Sequence, residues 1–211
     1  MATKDAKCSI CRRAGEKLFL KGEKCFSPSC VFNKKPYAPG KTDAERKRRT
    51  TMTEYGRQLR EKQKVRNVYG MRERQFSNYV KSAISRAGSN PTAALYELLE
   101  LRLDNAVFRF GLASSRALAR QMVSHGHITV NGRKVTIPSY RLRVGDKIAV
   151  REGSRGSSLF TNAEEKMKKG QTSNWLKADM KSLSAEVVAP PKAEKSELPF
   201  DLASVIEYYS R

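Results

Sequence analysis

"SRALARQMVSHGHITVNGRKVTIPSYRLRVGDKIAV", residues 115–150, changes its period in the middle. Up to Gly126 the spacing is helical: Leu118 and Met122 fall on one side, and Arg116 and Arg120 project together one turn apart. Ser114 or Ser115 is placed to cap this helix, and Gly126 to stop it. Beyond the glycine the spacing becomes that of strands. "HITVNGRKVTI" predicts a β-hairpin around Asn131-Gly132, because a two-residue hairpin turn needs positive φ at both central positions. "YRLRVGDKIAV" predicts a second strand pair around Val144-Gly145-Asp146. A helix bearing an exposed Arg pair therefore runs into a hairpin with Arg133 and Lys134 at its tip. Arg116, Arg120, Arg133 and Lys134 are expected on one small platform, joined by Tyr140.

Working outward, "NPTAALYELLELRLDNAVFRFG" (residues 90–111) predicts one continuous helix. Asn90 is its cap, Pro91 its first residue and Gly111 its end. Leu95, Leu98, Leu99, Leu103, Val107 and Phe110 form the buried side. Two earlier helices are predicted, from Thr53 to Tyr69 and from Arg72 to Arg86, ending at Gly70 and Gly88. The first has only a thin apolar stripe. Arg57, Arg60 and Lys64 fall on one face and Lys62 with Arg66 on another, so anions are expected to cover it. At the far end "DLASVIEYYSR" predicts a short amphipathic helix capped by Asp201. Its return to the helical region would make that domain discontinuous.

All four cysteines lie in "CSICRRAGEKLFLKGEKCFSPSC", residues 8–30. Cys8 and Cys11 form a C-x2-C pair and Cys25 and Cys30 a C-x4-C pair, a pattern suited to a tetrahedral four-thiolate site. Zinc is the first metal expected, a four-cysteine iron–sulfur cluster the second, and four unrelated buried thiols the competing reading. Neighbouring cations, including Arg12 and Arg13, are expected to favour the thiolate form. Residues 1–50 hold too few large apolar side chains to fold unaided, so a metal would supply the order. Next comes an extended strap with Pro36, Pro39 and Gly40. Lys34 and Lys35 precede these residues, and the run Arg46, Lys47, Arg48, Arg49 follows them. A solvated linker or a localisation signal would have this composition, but between a knuckle and a helix it reads as a strap along phosphates.

The charge decides among partners. The 211 residues carry a net charge of +21, with net +13 in residues 1–75, +8 in residues 76–151 and zero in residues 152–211. Such an excess repels itself unless a polyanion neutralises it. No apolar run approaches a membrane span or a signal-peptide core, so nucleic acid is favoured over anionic lipid and a reducing compartment is expected. Residues 152–198 are of low complexity and give little pattern.

The stretch 115–150 resembles the small RNA-binding domain named after the fourth protein of the bacterial small ribosomal subunit. The resemblance continues through "FLKGEKCFSPSC", "PYAPG", "LREKQKVRNVYGMRERQF", "LELRLDNAVFRFG" and "VIEYYSR", in that order along nearly the whole chain. It implies an α+β protein made of a metal knuckle with extended strap (1–45), a small all-helical domain (46–90, completed by 199–211), an RNA-binding domain with a helix-turn-hairpin platform and small antiparallel sheet (91–185), and a Pro/Lys/Glu-rich linker (186–198). It further implies a cytoplasmic ribosomal component that binds small-subunit rRNA early and nucleates assembly of the subunit body. By family resemblance it would lie near the mRNA entry channel beside the third and fifth small-subunit proteins and contribute to translational accuracy. Many bacterial relatives lack the cysteines, which makes the knuckle a stabiliser of one branch.

Two other classes share parts of this pattern. RNA-modifying enzymes also carry this domain, but no segment is left for a catalytic one, and His125 and His127 have no carboxylate beside them in sequence. Neither catalysis nor a small-molecule substrate is expected. A DNA-binding factor would read a short duplex, whereas charge spread along the chain suits a folded RNA. The expected RNA contacts are Arg12, Arg13, Lys34, Lys35, Arg46–Arg49, Arg57, Arg60, Lys62, Lys64, Arg72, Arg74, Arg116, Arg120, His125, Arg133, Lys134 and Tyr140.

Overall fold

The computed structural model describes residues 6–40, 51–86, 90–160, 167, 173–180, 182–192 and 200–211. The chain falls into two compact units, Met1–Lys81 with Leu198–Arg211, and Ser82–Glu197.

In the first unit, three short helices α1 (Ala6–Ala14), α2 (Glu23–Phe26) and α3 (Val31–Lys34) surround the cysteines. Helix α4 (Glu54–Val68) starts at Thr53, whose hydroxyl accepts from the Gly56 N–H. Helix α5 (Glu73–Ile84) follows. The C-terminal helix α9 (Leu202–Tyr209) is capped by the Asp201 carboxylate, which accepts from the Ala203 N–H, and it packs on α4. Tyr69 meets Phe200 and Phe76 meets Tyr209 at ring distances of 6.2 and 6.1 Å. Val65, Phe76, Val80, Leu202 and Val205 are buried here, and polar pairs add to the join between α4, α5 and α9.

The second unit has a continuous apolar core. Where one helix is predicted over residues 90–111 there are two, α6 (Pro91–Glu100) and α7 (Leu103–Arg109). The break comes from outside the segment. Arg102 takes an extended conformation and bridges Arg141; Leu142 N–H donates to the Leu101 carbonyl, and Leu103 N–H to that of Tyr140, both at 2.9 Å. A backbone pairing from forty residues away overrides an unbroken helical pattern. Helix α8 (Arg116–Ser124) is capped by Ser115, and Ala119, Met122 and Val123 are its buried residues, while Leu118 is half-buried.

The sheet has five strands in the order β2-β1-β3-β5-β4, all antiparallel. Strands β1 (Ile128–Val130) and β2 (Arg133–Lys134) form the expected hairpin, with φ of 49° at Asn131 and 77° at Gly132. Those two positive values define the turn type that asparagine followed by glycine favours. Strand β3 (Lys147–Val150) pairs with β1, Val130 facing Ile148. The strand expected before it, over "YRLR", does not pair with β3. Instead Arg141 bridges Arg102, and Asp146 closes the turn by accepting from the Arg143 N–H at 2.7 Å. Strands β4 (Leu176–Asp179) and β5 (Ser184–Val187) complete the sheet from the stretch that showed no pattern. Leu112, Met122, Ile128, Leu142, Ile148, Trp175 and Val187 belong to one buried cluster under these elements.

Candidate nucleic-acid interface

The hairpin carries two exposed cations on a paired strand. Arg133 and Lys134 are both exposed on β2, held against β1 by the ladder. The turn into β1 is equally constrained. The Lys134 side chain lies over Gly126 (φ 74°), where any Cβ would collide with its methylene groups. His125, exposed at the end of α8, has its ring 6.1 Å from that of His127. His127 is committed inward, Nδ1 to Ser154 Oγ at 3.0 Å and its ring edge-on to Phe160. Tyr140 is 38% exposed beside the bridge to Arg102.

The Arg pair of α8 behaves differently from expectation. Arg120 donates from Nε and a terminal nitrogen to Asp104 Oδ2, at 2.9 and 2.6 Å. Arg102, 2% exposed, grips the same carboxylate through two bonds of 3.0 and 2.8 Å. Arg116 donates to Asn105 Oδ1 at 2.7 Å and covers the Phe108 ring at 4.5 Å. Arg109 holds the fully buried Glu100 with two bonds of 2.8 and 3.1 Å. Buried carboxylates require such partners, since desolvation of an unpaired charge is costly. Of the four cations expected on one platform, Arg133 and Lys134 are exposed, while Arg116 and Arg120 are half-buried and hydrogen-bonded to Asn105 and Asp104.

Helix α4 shows the same division. Lys62 is buried, 2.6 Å from Glu73 and above the Tyr208 ring at 4.9 Å. Lys64 is buried between Glu61, at 2.6 Å, and Glu16. Burial works against the Lys64 charge, but its hydrogen bonds to these carboxylates outweigh that and raise its pKa. The anions expected to cover α4 are, at these two positions, the protein's own. Arg57 and Arg60 remain exposed, as do Arg72 and Arg74. An open cleft of about 590 Å3 runs between α1 and α4, lined by Arg13, Arg60 and Arg66 with the polar side chains of Ser9, Gln63 and Asn67. Cations with amide and hydroxyl groups at one wall suit a sugar–phosphate backbone.

At the N-terminal end, Cys8, Cys11, Cys25 and Cys30 line a single small pocket. The Lys21 N–H donates to Cys25 Sγ at 3.4 Å. Among the described residues no group of three or more His, Cys, Asp or Glu side chains is spaced to hold a metal ion. All-sulfur donors converging on one pocket nonetheless have the chemistry a soft divalent ion requires. Burial raises the Cys11 pKa, a backbone hydrogen bond from Leu18 opposes it, and the other three thiols add to the rise. Arg12 is turned to Tyr37, donating to its carbonyl at 2.8 Å and lying 4.9 Å from its ring. Lys34 and Lys35 are exposed, and Arg46–Arg49 lie outside the described residues.

The arrangement has an exposed hairpin tip and a basic cleft, and no helix among the described residues is long and apolar enough to cross a membrane. Family comparison gives the class: residues 2–100 match the model described as the Ribosomal protein S4/S9 N-terminal domain, and residues 101–148 match the S4 domain. The chain is 48% identical over 204 residues to "Small ribosomal subunit protein uS4" of Thermus thermophilus, covering 97% of this chain and 96% of that protein. It is 46% identical over 205 residues to the protein of that name from Thermotoga maritima, with 97% and 96% covered. The protein of that name from Oleidesulfovibrio alaskensis is 46% identical over 210 residues, with 98% of each chain covered. The chain belongs to the uS4 family.

Proposed function

We propose that this chain is a structural, non-catalytic component of the small ribosomal subunit in the cytoplasm, binding small-subunit rRNA directly. The observation that carries this reading is the near full-length match to proteins named small ribosomal subunit protein uS4. The charge supports it, since +21 on 211 residues calls for a polyanion. In this reading Arg133, Lys134, His125 and Tyr140 fix the hairpin on a defined RNA shape. Arg13, Arg57 and Arg60 hold backbone at the α1–α4 cleft, and Arg72 and Arg74 add to it. Lys34, Lys35 and the run Arg46–Arg49 contribute affinity more than register. The chain nucleates assembly of the subunit body. Contact with the third and fifth small-subunit proteins near the mRNA entry channel gives it a part in translational accuracy.

The same reading assigns zinc to Cys8, Cys11, Cys25 and Cys30 as a closed structural site with no position open to substrate. A four-cysteine iron–sulfur cluster is the alternative, distinguished by metal analysis and visible absorbance. The functional test is chemical footprinting on small-subunit rRNA with transfer RNA and duplex DNA as competitors. A discrete protected site surviving both competitors is expected. Loss of protection to either competitor at equal concentration would refute rRNA as the specific partner.

A further inference from the structure

Phe19, which lines the cysteine pocket, and Phe26 form an exposed aromatic stack. Their ring centroids lie 4.7 Å apart at an interplanar angle of 26°. Phe26 is 74% exposed and Phe19 44% exposed, so the outer face of the stack meets solvent. Phe19 reaches this position with a φ of 50°, a left-handed backbone that a bulky residue rarely adopts. The pair stands outside the buried apolar cluster. The surroundings are cationic: Phe19 lines the cysteine pocket together with Lys7, Lys17 and Lys21, and among the described residues no carboxylate lines it. Lys24 is exposed on the helix that carries Phe26, where Glu23 is the single acidic residue.

A protein partner's apolar side chain would make no use of the positive charge that Lys7, Lys17, Lys21 and Lys24 bring to this part of the chain. A nucleobase gains from both parts, with its π-face on the ring and its flanking phosphates on the lysines. We infer that Phe26, backed by Phe19, is a stacking platform for one unpaired nucleobase of the bound RNA. The inference rests on the rRNA-binding reading and adds a subsite to it. The site is tolerant of base identity, because every base presents a π-face.

The test is a titration of small-subunit rRNA with the wild-type chain, Phe26→Ala and Phe26→Trp. Phe26→Ala should bind roughly ten-fold more weakly, with the rest of the footprint kept. Phe26→Trp should bind nearly as the wild type, and its added fluorescence should be quenched by the rRNA but not by a fully paired RNA duplex. The native Trp175 is buried and supplies the baseline. Unchanged affinity of Phe26→Ala, or a bound Phe26→Trp that stays unquenched, would overturn the stacking site while leaving rRNA binding intact. Quenching by a neighbouring small-subunit protein in place of rRNA would overturn it in favour of a protein contact. Failure of the wild type itself to bind would remove the parent reading.

Discussion

The two compact units answer the same excess of positive charge in different ways. In Ser82–Glu197, arginines are drawn into the fold by carboxylates that are themselves buried: Asp104 takes Arg102 and Arg120, and Glu100 takes Arg109. These ion pairs lie against a large apolar core that already fixes the elements. In the unit formed by Met1–Lys81 with Leu198–Arg211, the paired cations act as joints between helices. Lys62 and Glu73 link α4 to α5, and the Tyr209 hydroxyl donates to Glu73 at 2.7 Å and ties in α9. Among the described residues some basic side chains are buried in ion pairs and others face solvent, and position in the sequence does not tell the two apart.

The sharpest break of that distinction is Asp104→Ala. It strands Arg102 and Arg120 in a desolvated setting, and a loss of about 3–5 kcal/mol is expected. Trp175, the chain's one tryptophan and part of the buried core, makes urea unfolding of this unit directly visible. A shift below about 1 kcal/mol would mean that the pairs are dispensable.

Cys25→Ser probes the other unit. It should abolish stoichiometric zinc uptake and open residues 6–40 to protease, while the Trp175 unfolding curve stays in place. A chain purified under reducing conditions with neither zinc nor iron would remove the knuckle from the account.

Acid sharpens the contrast further. Burial alone would raise the Glu73 pKa, but the hydrogen bonds from Lys62 and Tyr209 outweigh it and the net shift is downward. The Ser204 hydroxyl, donating at 2.6 Å, leads the causes that lower Asp201. Carboxylates depressed on folding contribute stability above their unfolded pKa values, and that contribution is lost as pH falls through the folded ones. The protection of α9 amides, taken relative to the intrinsic exchange rate at each pH, should therefore fall below about pH 4, in the range where unfolded-state carboxylates titrate. On the alkaline side, burial and the bond to Glu73 raise the Tyr209 pKa, so its contribution persists through neutral pH. Protection of α9 that is unchanged from pH 7 to pH 3 would contradict the polar joint.

What the sequence disclosed and what it hid follow from the range of the interactions. The Asn131-Gly132 turn and the Thr53, Asn90 and Asp201 caps are decided within a few residues, and all were legible. The break at Arg102 was not, because residues 90–111 keep a perfect helical pattern and only the bridge to Arg141 interrupts it. Strands β4 and β5 are four residues each, with few apolar side chains, and gain their identity by pairing with β3. Lys62, Lys64, Arg116 and Arg120 read as exposed cations because their partners are chosen in three dimensions: Glu16 and Glu73 for the lysines, Asp104 and Asn105 for the arginines. The Phe19–Phe26 stack spans seven residues that form no continuous helix, and it depends on the left-handed backbone at Phe19.

The division of cations is tested most directly by the salt dependence of rRNA binding in three proteins: the wild type, Arg133→Ala with Lys134→Ala, and Arg116→Ala with Arg120→Ala. Removing one cation from a phosphate should reduce the slope of log affinity against log salt by roughly one. The hairpin variant should therefore lose about two from the slope and keep its thermal stability, whereas the helix variant should keep the slope and unfold at lower temperature. A helix variant with native stability and a reduced slope, beside a hairpin variant with an unchanged slope, would reverse the assignment.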